Sequence, residues 1–237
     1  MTDFEQSIEV KFGCADYVRD KIFSLCIEYC ETLQPIILLR IGSFLGIYAT
    51  TLRSTLNYTL RYYIDNRLSS KINSRSTPNS DDLILFAKVK NKDFPWAVGR
   101  SRESIRGFFS KNRQLLELMQ KYDRKAFTLL EQTQPYNPQN EWLKHLMIVS
   151  NVDKHEAIIE NRILDVEPIP KIQFNGDKVL IPDNGEILEY DLPYYYPSHN
   201  LFVSTKKNWS FFQFKISQQD SRNIIELPLI NFINETP

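Results

Sequence analysis

Glycine is scarce in this chain, at seven of 237 residues. The phosphate-binding loops of Rossmann and P-loop enzymes need glycines at fixed spacings. The sequence contains neither G-x-G-x-x-G nor G-x-x-x-x-G-K followed by Ser or Thr. The nucleotide-binding classes that depend on these loops are therefore excluded. Since 42% of the residues are hydrophobic and 13% are aromatic, the chain still has ample material for a core.

Cysteine is also scarce, and its placement argues against disulfides. The three cysteines all occur within the first 30 residues, which predicts reduced thiols in a cytoplasmic protein. Cys26 and Cys30 are one helical turn apart, and we expect buried apolar thiols there rather than a metal pair. No Cys/His spacing indicates a zinc site, and we expect no metal and no cofactor. No order of Ser, His and Asp that would indicate a catalytic triad is discernible.

Long apolar runs are absent as well. The longest run, residues 35–39, is far too short to span a bilayer. The acidic opening Met1-Thr-Asp-Phe-Glu predicts that no signal peptide is present. We therefore expect a cytoplasmic location and no membrane partner.

The net charge of zero hides a segregation of charge along the chain. Residues 53–125 hold 16 Lys and Arg against seven Asp and Glu, a net charge of +9, whereas residues 156–198 hold three against nine, a net charge of −6. A region this basic could follow a phosphate backbone, and the acidic region could instead pair with it. A nucleic-acid face and an intramolecular complement both stay open.

The hydrophobic periodicity changes near residue 166. Before it the apolar spacing is helical, most clearly over residues 41–68, and the Gln34-Pro35 pair predicts a break ahead of that helix. After it the spacing alternates, and the Asn-Gly pairs at 175–176 and 184–185 predict hairpin turns. We predict an α+β protein in which a helical bundle of four to five main helices, residues 1–164, is followed by a small antiparallel β-sheet, residues 165–237, packed on the bundle.

A polar cluster follows the apolar segment 142–149. Asn151, Asp153, Lys154 and His155 place an amide, a carboxylate, an ammonium and an imidazole within five positions. Burying such groups is costly unless they satisfy one another, so the cluster marks either a structural latch or a functional site. Ser150 and Asp153 have the spacing of a capping box, which predicts that the cluster lies on the first turn of a helix.

The chemical interpretation of the polar cluster needs a partner from elsewhere. Asn151 and His155 are four apart and share a helix face, whereas Asp153 and His155 do not. Arg53, at the edge of the apolar stripe of the long helix, is the candidate partner, with Asn57 one turn further along. His155 could assist the 2′-hydroxyl chemistry of RNA cleavage without metal while Arg53 stabilises the phosphorane. The candidate catalytic residues are Arg53, Asn151, Asp153 and His155.

The structural interpretation is a different class of function. A carboxylate at Asp153 would cap a helix near its N-terminus, and Asn151 with Lys154 could complete an interhelical latch. The protein would then be a non-catalytic interaction module that dimerises through bundle helices, with the polar cluster fixing their register.

The candidate nucleic-acid-binding residues come from the basic region and the polar cluster. A helix that starts near Ser101 carries four of them, and the cluster supplies the fifth. They are Arg102, Arg106, Lys111, Arg113 and Lys154.

Four landmarks occur in order along the chain. They are Leu52-Arg-Ser-Thr-Leu-Asn57, Phe94-Pro95, Gln134-Pro-Tyr136, and Trp142 with Leu146 leading to Asn151-Val-Asp-Lys-His155. They resemble a broad set of uncharacterised bacterial proteins with a consensus of roughly L-R-S-A-L-D, F-P, Q-P-Y and L-x-N-x-D-K-H-R, followed by a strand-rich tail. This chain differs in having Asn57 in place of Asp and Glu156 in place of Arg.

The spacing and helical organisation also resemble the HEPN superfamily of small helical bundles, many of which act on RNA in toxin–antitoxin and phage-defence systems. The resemblance implies an HEPN-like cytoplasmic protein that engages RNA or a nucleic-acid-associated partner, with metal-independent ribonuclease activity in stress or phage defence. We expect RNA and a second copy of the chain as candidate partners, and neither a membrane nor a small-molecule cofactor.

Overall fold

The computed structural model describes residues 3–74, 79–96, 104–155, 161–166, 173–175, 178–183, 186–191, 193–196, 201–204, 210–220, 223–229 and 232–233. Within these residues helices come first and strands afterwards, so the predicted order is confirmed. The helices are α1 (Asp3–Thr32), α2 (Pro35–Tyr62), α3 (Ser69–Asn73), α4 (Ser80–Lys90), α5 (Ser104–Tyr122), α6 (Arg124–Gln132) and α7 (Glu141–His155). The strands are β1 (Asn161–Val166), β2 (Gln173–Asn175), β3 (Lys178–Asp183), β4 (Glu186–Asp191), β5 (Tyr194–Tyr196), β6 (Leu201–Ser204), β7 (Ser210–Asp220) and β8 (Asn223–Pro228).

The break between α1 and α2 falls at the predicted proline. Helix α1 ends at Thr32 and α2 begins at Pro35, where the fixed φ of proline and its missing N–H are tolerated. Leu33 between them adopts φ 55°, and its N–H donates to the carbonyl oxygen of Tyr29 at 2.7 Å. This left-handed residue closes α1 as a glycine commonly does.

The chain stays helical from Pro35 to Asn73, with a change of hydrogen-bond pattern at Tyr63–Leu68, which is π-helical. Among the described residues this is the one helix long and apolar enough to cross a membrane by length and composition. In the most apolar 18-residue stretch of this helix, 44% is buried. The core helix of a soluble protein can have the same length and composition.

By its contacts the chain divides into two compact units. The first unit comprises Met1–Cys14 and Thr50–Met147, and the second comprises Ala15–Ala49 and Ile148–Pro237. Helices α1, α2 and α7 therefore each contribute to both units. The division expected at residue 164 follows the change from helix to strand, and it stays a prediction.

The first unit has an apolar core built from α2 to α6. Its buried members include Leu60, Ile64, Leu68, Ile72, Phe86, Val89, Phe94, Leu115, Leu116, Leu118, Met119, Phe127 and Leu130. Trp96 packs against this core, and Phe94 is part of it. The two aromatic side chains of Phe94-Pro95-Trp96 therefore hold their loop on the helices of the first unit.

The second unit contains two antiparallel sheets. In the larger sheet the order is β1-β7-β6-β5, and β8 also pairs with β7; the smaller sheet has the order β2-β3-β4. Phe214 of β7 and Phe202 of β6 are fully buried, with ring centroids 5.0 Å apart. Phe23 and Tyr29 of α1 contact these two rings, so α1 covers one face of the larger sheet.

The cysteines follow the predicted pattern. Cys26 and Cys30 are fully buried, and burial, aided by Glu31, raises the pKa of Cys30 to about 12. The prediction of buried apolar thiols is confirmed, because a buried thiol with a raised pKa stays protonated and unreactive.

Candidate functional site

The polar cluster does not lie on the first turn of a helix. Helix α7 runs without a break from Glu141 to His155, so Asn151–His155 continue the helix that carries the apolar residues before them. The prediction that Ser150 and Asp153 make a capping box is therefore wrong, since Ser150 is buried within the helix. Residues 141–155 contain no glycine or proline, so the sequence has no helix-breaking residue at or near Ser150.

This placement removes the predicted capping role of Asp153. The residue lies well within α7, far from the helix start at Glu141, so its carboxylate does not cap the helix N-terminus. Asn151 is half-buried, and its spacing from His155 puts both residues on the same face of α7. The side chains of residues 152–155 lie outside the described part of the structure.

Arg53 lies in the half of α2 that belongs to the first unit, whereas Asn151 and His155 belong to the second. Its side chain is half-buried, and burial lowers the pKa of Arg53. The guanidinium nevertheless stays charged, because even a lowered arginine pKa is far above neutrality.

The basic residues of α5 are only partly described. Arg102 lies outside the described residues, and the structure gives the backbone but not the side chains of Arg106 and Lys111. Arg113 is exposed, and its Nε lies 2.7 Å from Oε1 of Glu117. This hydrogen bond raises the pKa of Arg113, so the guanidinium already has an acidic partner.

Three of the landmark segments meet in the first unit. Oδ1 of Asn57 accepts a hydrogen bond from the backbone N–H of Trp96 at 2.9 Å. Nε2 of Gln134 donates to the carbonyl oxygen of Trp96 at 2.9 Å and to that of Leu130 at 2.8 Å. Gln134 is fully buried, and Tyr136 packs against the apolar core. We call Asn57, Trp96 and Gln134 the loop latch.

The loop latch explains one departure from the consensus. The position of Asn57 needs only a side-chain oxygen that accepts from a backbone N–H, and Asp and Asn both supply one. The latch gives Asn57 and Gln134 a structural role. The landmark motifs contain both residues, but no sequence pattern showed that their side chains bind the backbone of the same residue, Trp96.

Two buried carboxylates are site-like features that the sequence did not indicate. Asp82 accepts hydrogen bonds from Lys121 and from the hydroxyl of Tyr122, the latter at 2.5 Å. Asp123 caps α6 and lies 2.9 Å from Nζ of Lys71. These pairs join residues about 40 or 50 positions apart, so only the fold reveals them.

A shallow depression of about 480 Å³ lies on α6. Arg124, Lys125, Thr128, Leu129 and Gln132 line it, and none of the predicted site residues does. In the part of the chain that the structure describes, no three His, Cys, Asp or Glu side chains are placed to hold a metal ion.

Comparison with protein-family models, with curated proteins and with solved structures found no match to this chain.

Proposed function

We propose that this is an HEPN-like cytoplasmic protein that engages RNA and cleaves it without a metal ion, in a stress or phage-defence role. The observation that carries the proposal is the unbroken course of α7, because residues four apart on one helix, such as Asn151 and His155, share a face. The +9 charge of residues 53–125 supports RNA as the partner, because phosphate contacts from Lys and Arg supply most nonspecific affinity.

The chemistry assigns a role to three of the four catalytic candidates, His155, Arg53 and Asn151, and none to Asp153. His155 takes the proton from a ribose 2′-hydroxyl while the 2′-oxygen bonds to phosphorus, and the bond from phosphorus to the 5′-oxygen breaks. Arg53 stabilises the charge that develops on the phosphorane oxygens, and Asn151 orients the phosphate by hydrogen bonding. The products are a 2′,3′-cyclic phosphate and a 5′-hydroxyl, which receives a proton. The proposal requires that Arg53 and His155 reach one phosphate, within a chain or across a dimer.

A ribonuclease assay in the presence of a chelator tests this function. We expect the parent protein to cut single-stranded RNA, and His155→Ala and Arg53→Ala to lose at least about a hundredfold in rate, as general-base and electrostatic groups typically contribute. His145→Ala, which changes the other histidine of α7, is the matched control. Thermal melts of all four proteins separate loss of chemistry from loss of folding. Absence of cleavage by a folded parent would reject the enzyme.

The alternative function is a dimerising interaction module without catalysis. The loop latch favours it, because three of the four landmark segments then serve to fix a loop. Sedimentation of the parent and of His155→Ala measures the dimer directly. A parent that dimerises without cutting RNA, and that loses stability when His155 is replaced, supports the module.

A further inference from the structure

An aromatic stack lies on the first unit where the start of α1 meets α2. The rings of Phe4 and Tyr62 are parallel, with an interplanar angle of 2° and centroids 3.3 Å apart. Tyr58, one turn before Tyr62 on α2, lies 5.0 Å from Phe4 at an angle of 35°. Nζ of Lys11 lies 5.5 Å from the centroid of the Tyr58 ring. We call these four residues the stacking platform.

The stacking platform is open to solvent at Tyr58, which is 39% exposed. Phe202 and Phe214, by contrast, form an aromatic contact that is fully buried. An exposed ring beside a lysine offers a π-face and a positive charge at one place. A nucleobase with its phosphate has the complementary pair of features.

Further lysines lie at the end of α4. Nη2 of Arg61, three residues after Tyr58 on α2, donates to the carbonyl oxygen of Lys90 at 2.7 Å. The end of α4 is therefore within reach of the Arg61 side chain, and Lys88, Lys90 and Lys92, the last just beyond α4, are exposed. Arg61 itself is paired with Asp65 at 2.8 Å, so the lysines are the cations offered to a phosphate.

We propose that the stacking platform binds an unpaired nucleobase of single-stranded RNA or DNA on Tyr58, with neighbouring phosphates held by Lys11 and the α4 lysines. Base stacking on an aromatic ring combined with a positively charged track is how proteins bind single strands without reading their sequence. The inference rests on the proposed function for its class of ligand. Its residues are separate from Arg53, Asn151 and His155, so the two can fail independently.

Fluorescence anisotropy with a labelled single-stranded 12-mer RNA, at low salt and with the full chain, tests the platform. We expect Tyr58→Leu to weaken binding by at least about fivefold and Tyr58→Phe to bind like the parent, because Phe keeps the ring. Tyr17→Leu is the matched control, since Tyr17 is a 69% exposed tyrosine in the second unit. A fully paired duplex of the same sequence should bind more weakly than the single strand, because its bases are not free to stack.

Lys11→Gln removes one positive charge from the platform and leaves its aromatic rings in place. We expect it to reduce the slope of log affinity against log salt by about 0.7, the contribution of one phosphate contact on a single strand. Lys125→Gln, at an exposed lysine of α6, should leave the affinity for the strand less affected. A DNA strand of the same sequence distinguishes the two sources of ligand, since tighter binding of the RNA assigns the platform to RNA.

Four results overturn the platform. Equal affinities for Tyr58→Leu and Tyr17→Leu, or an unchanged salt slope in Lys11→Gln, place the strand elsewhere and leave RNA engagement by the protein intact. Equal affinity for duplex and single strand removes base stacking. Failure of the folded parent to bind any strand rejects RNA engagement together with the platform, whereas cleavage that His155→Ala abolishes without changing affinity supports the two sites as separate.

Discussion

Asn57 holds the backbone N–H of Trp96 through its side-chain oxygen at 2.9 Å, across 39 positions of sequence. Gln134 holds the carbonyl oxygen of the same residue at 2.9 Å. Both backbone polar groups of Trp96 are therefore satisfied by side chains from distant segments. Removal of either side chain leaves one partly buried backbone group of Trp96 without its hydrogen-bond partner, which costs free energy.

The loop latch predicts a difference between two substitutions of Asn57. Asn57→Ala removes the acceptor and should destabilise the protein by about 1–3 kcal/mol, because the N–H of Trp96 loses its partner. Asn57→Asp keeps an acceptor oxygen and should cost distinctly less. Urea unfolding at neutral pH measures both values.

The control for Asn57 is Ser54→Ala, one turn earlier on α2, where the side chain is exposed. We expect a change within about 0.5 kcal/mol there, as for most surface substitutions. Equal losses in Asn57→Ala and Asn57→Asp would show that the latch does not act through an accepted hydrogen bond.

The helices were predictable because their apolar residues recur at helical spacing. In α2 the predicted stripe includes Leu45, Ala49, Leu52 and Leu60, all of which are buried. The partners of the loop latch were not predictable, since a side chain that binds a distant backbone leaves no periodic signal. The periodic spacing of apolar residues in the sequence indicates which of them are buried. The hydrogen bonds of a loop depend instead on which distant segments meet in the fold.

The buried side chain of Asn112 is a position where we expect an apolar substitution to stabilise the protein. Its side chain is 1% exposed, and neither Nδ2 nor Oδ1 has a hydrogen-bond partner in the part of the chain that the structure describes. A buried amide without partners costs free energy, so Asn112→Leu, which has a similar branched shape without polar atoms, should stabilise the protein by about 1–3 kcal/mol. Urea unfolding of the two proteins gives the difference.

Asn112→Asp is the matched control, because it places a carboxylate at the same buried position. We expect it to destabilise the protein strongly or to prevent folding. If Asn112→Leu costs stability instead of adding it, the amide has a partner that the hydrogen bonds among the described residues do not include.

Asp123 predicts a dependence of stability on pH. Burial by itself would raise the pKa of Asp123, but hydrogen bonds from Lys71 and from the backbone N–H of Ala126 outweigh it and hold the pKa below the ordinary value. A carboxyl whose pKa is lower in the folded state adds stability above its unfolded pKa of about 3.9, and this stability is lost as pH falls through the folded pKa. Unfolding in urea between about pH 2 and pH 7 measures the loss.

Asp123→Asn should flatten this acid loss, because the amide does not titrate. Asn also caps helices well, so at neutral pH the substitution should cost only about 0.5–1 kcal/mol, for the pair with the half-exposed Lys71. Asp93→Asn, at an exposed loop position, serves as the control. An acid loss that is equally steep in Asp123→Asn would assign the pH dependence to other carboxyls.

Helix α7 shows how a short sequence pattern can predict a helix start at the wrong place. Ser150 and Asp153 fit a capping box as well as true caps do, yet the apolar residues Leu143, Leu146 and Val149 are buried and carry the helix through Ser150. Burial of an apolar face stabilises a helix more than one cap does, so the longer pattern prevails. The pairing of Asn151 with His155 on one face survives this correction, because it depends on spacing alone.

Arg113 and Glu117 give opposite predictions for RNA binding. The guanidinium of Arg113 lies 2.7 Å from Glu117, which competes with any phosphate for the same donors. Glu117→Gln should therefore tighten the binding of single-stranded RNA by roughly two- to fivefold, the equivalent of an exposed ion pair, while Arg113→Gln should weaken it and lower the salt slope by about 0.7. Anisotropy titrations at several salt concentrations measure both effects, with Lys125→Gln as a charge-matched control on α6. If neither substitution changes the affinity, the basic stretch that contains Arg113 does not face RNA, and pairing with the acidic region 156–198 becomes the better account of its charge.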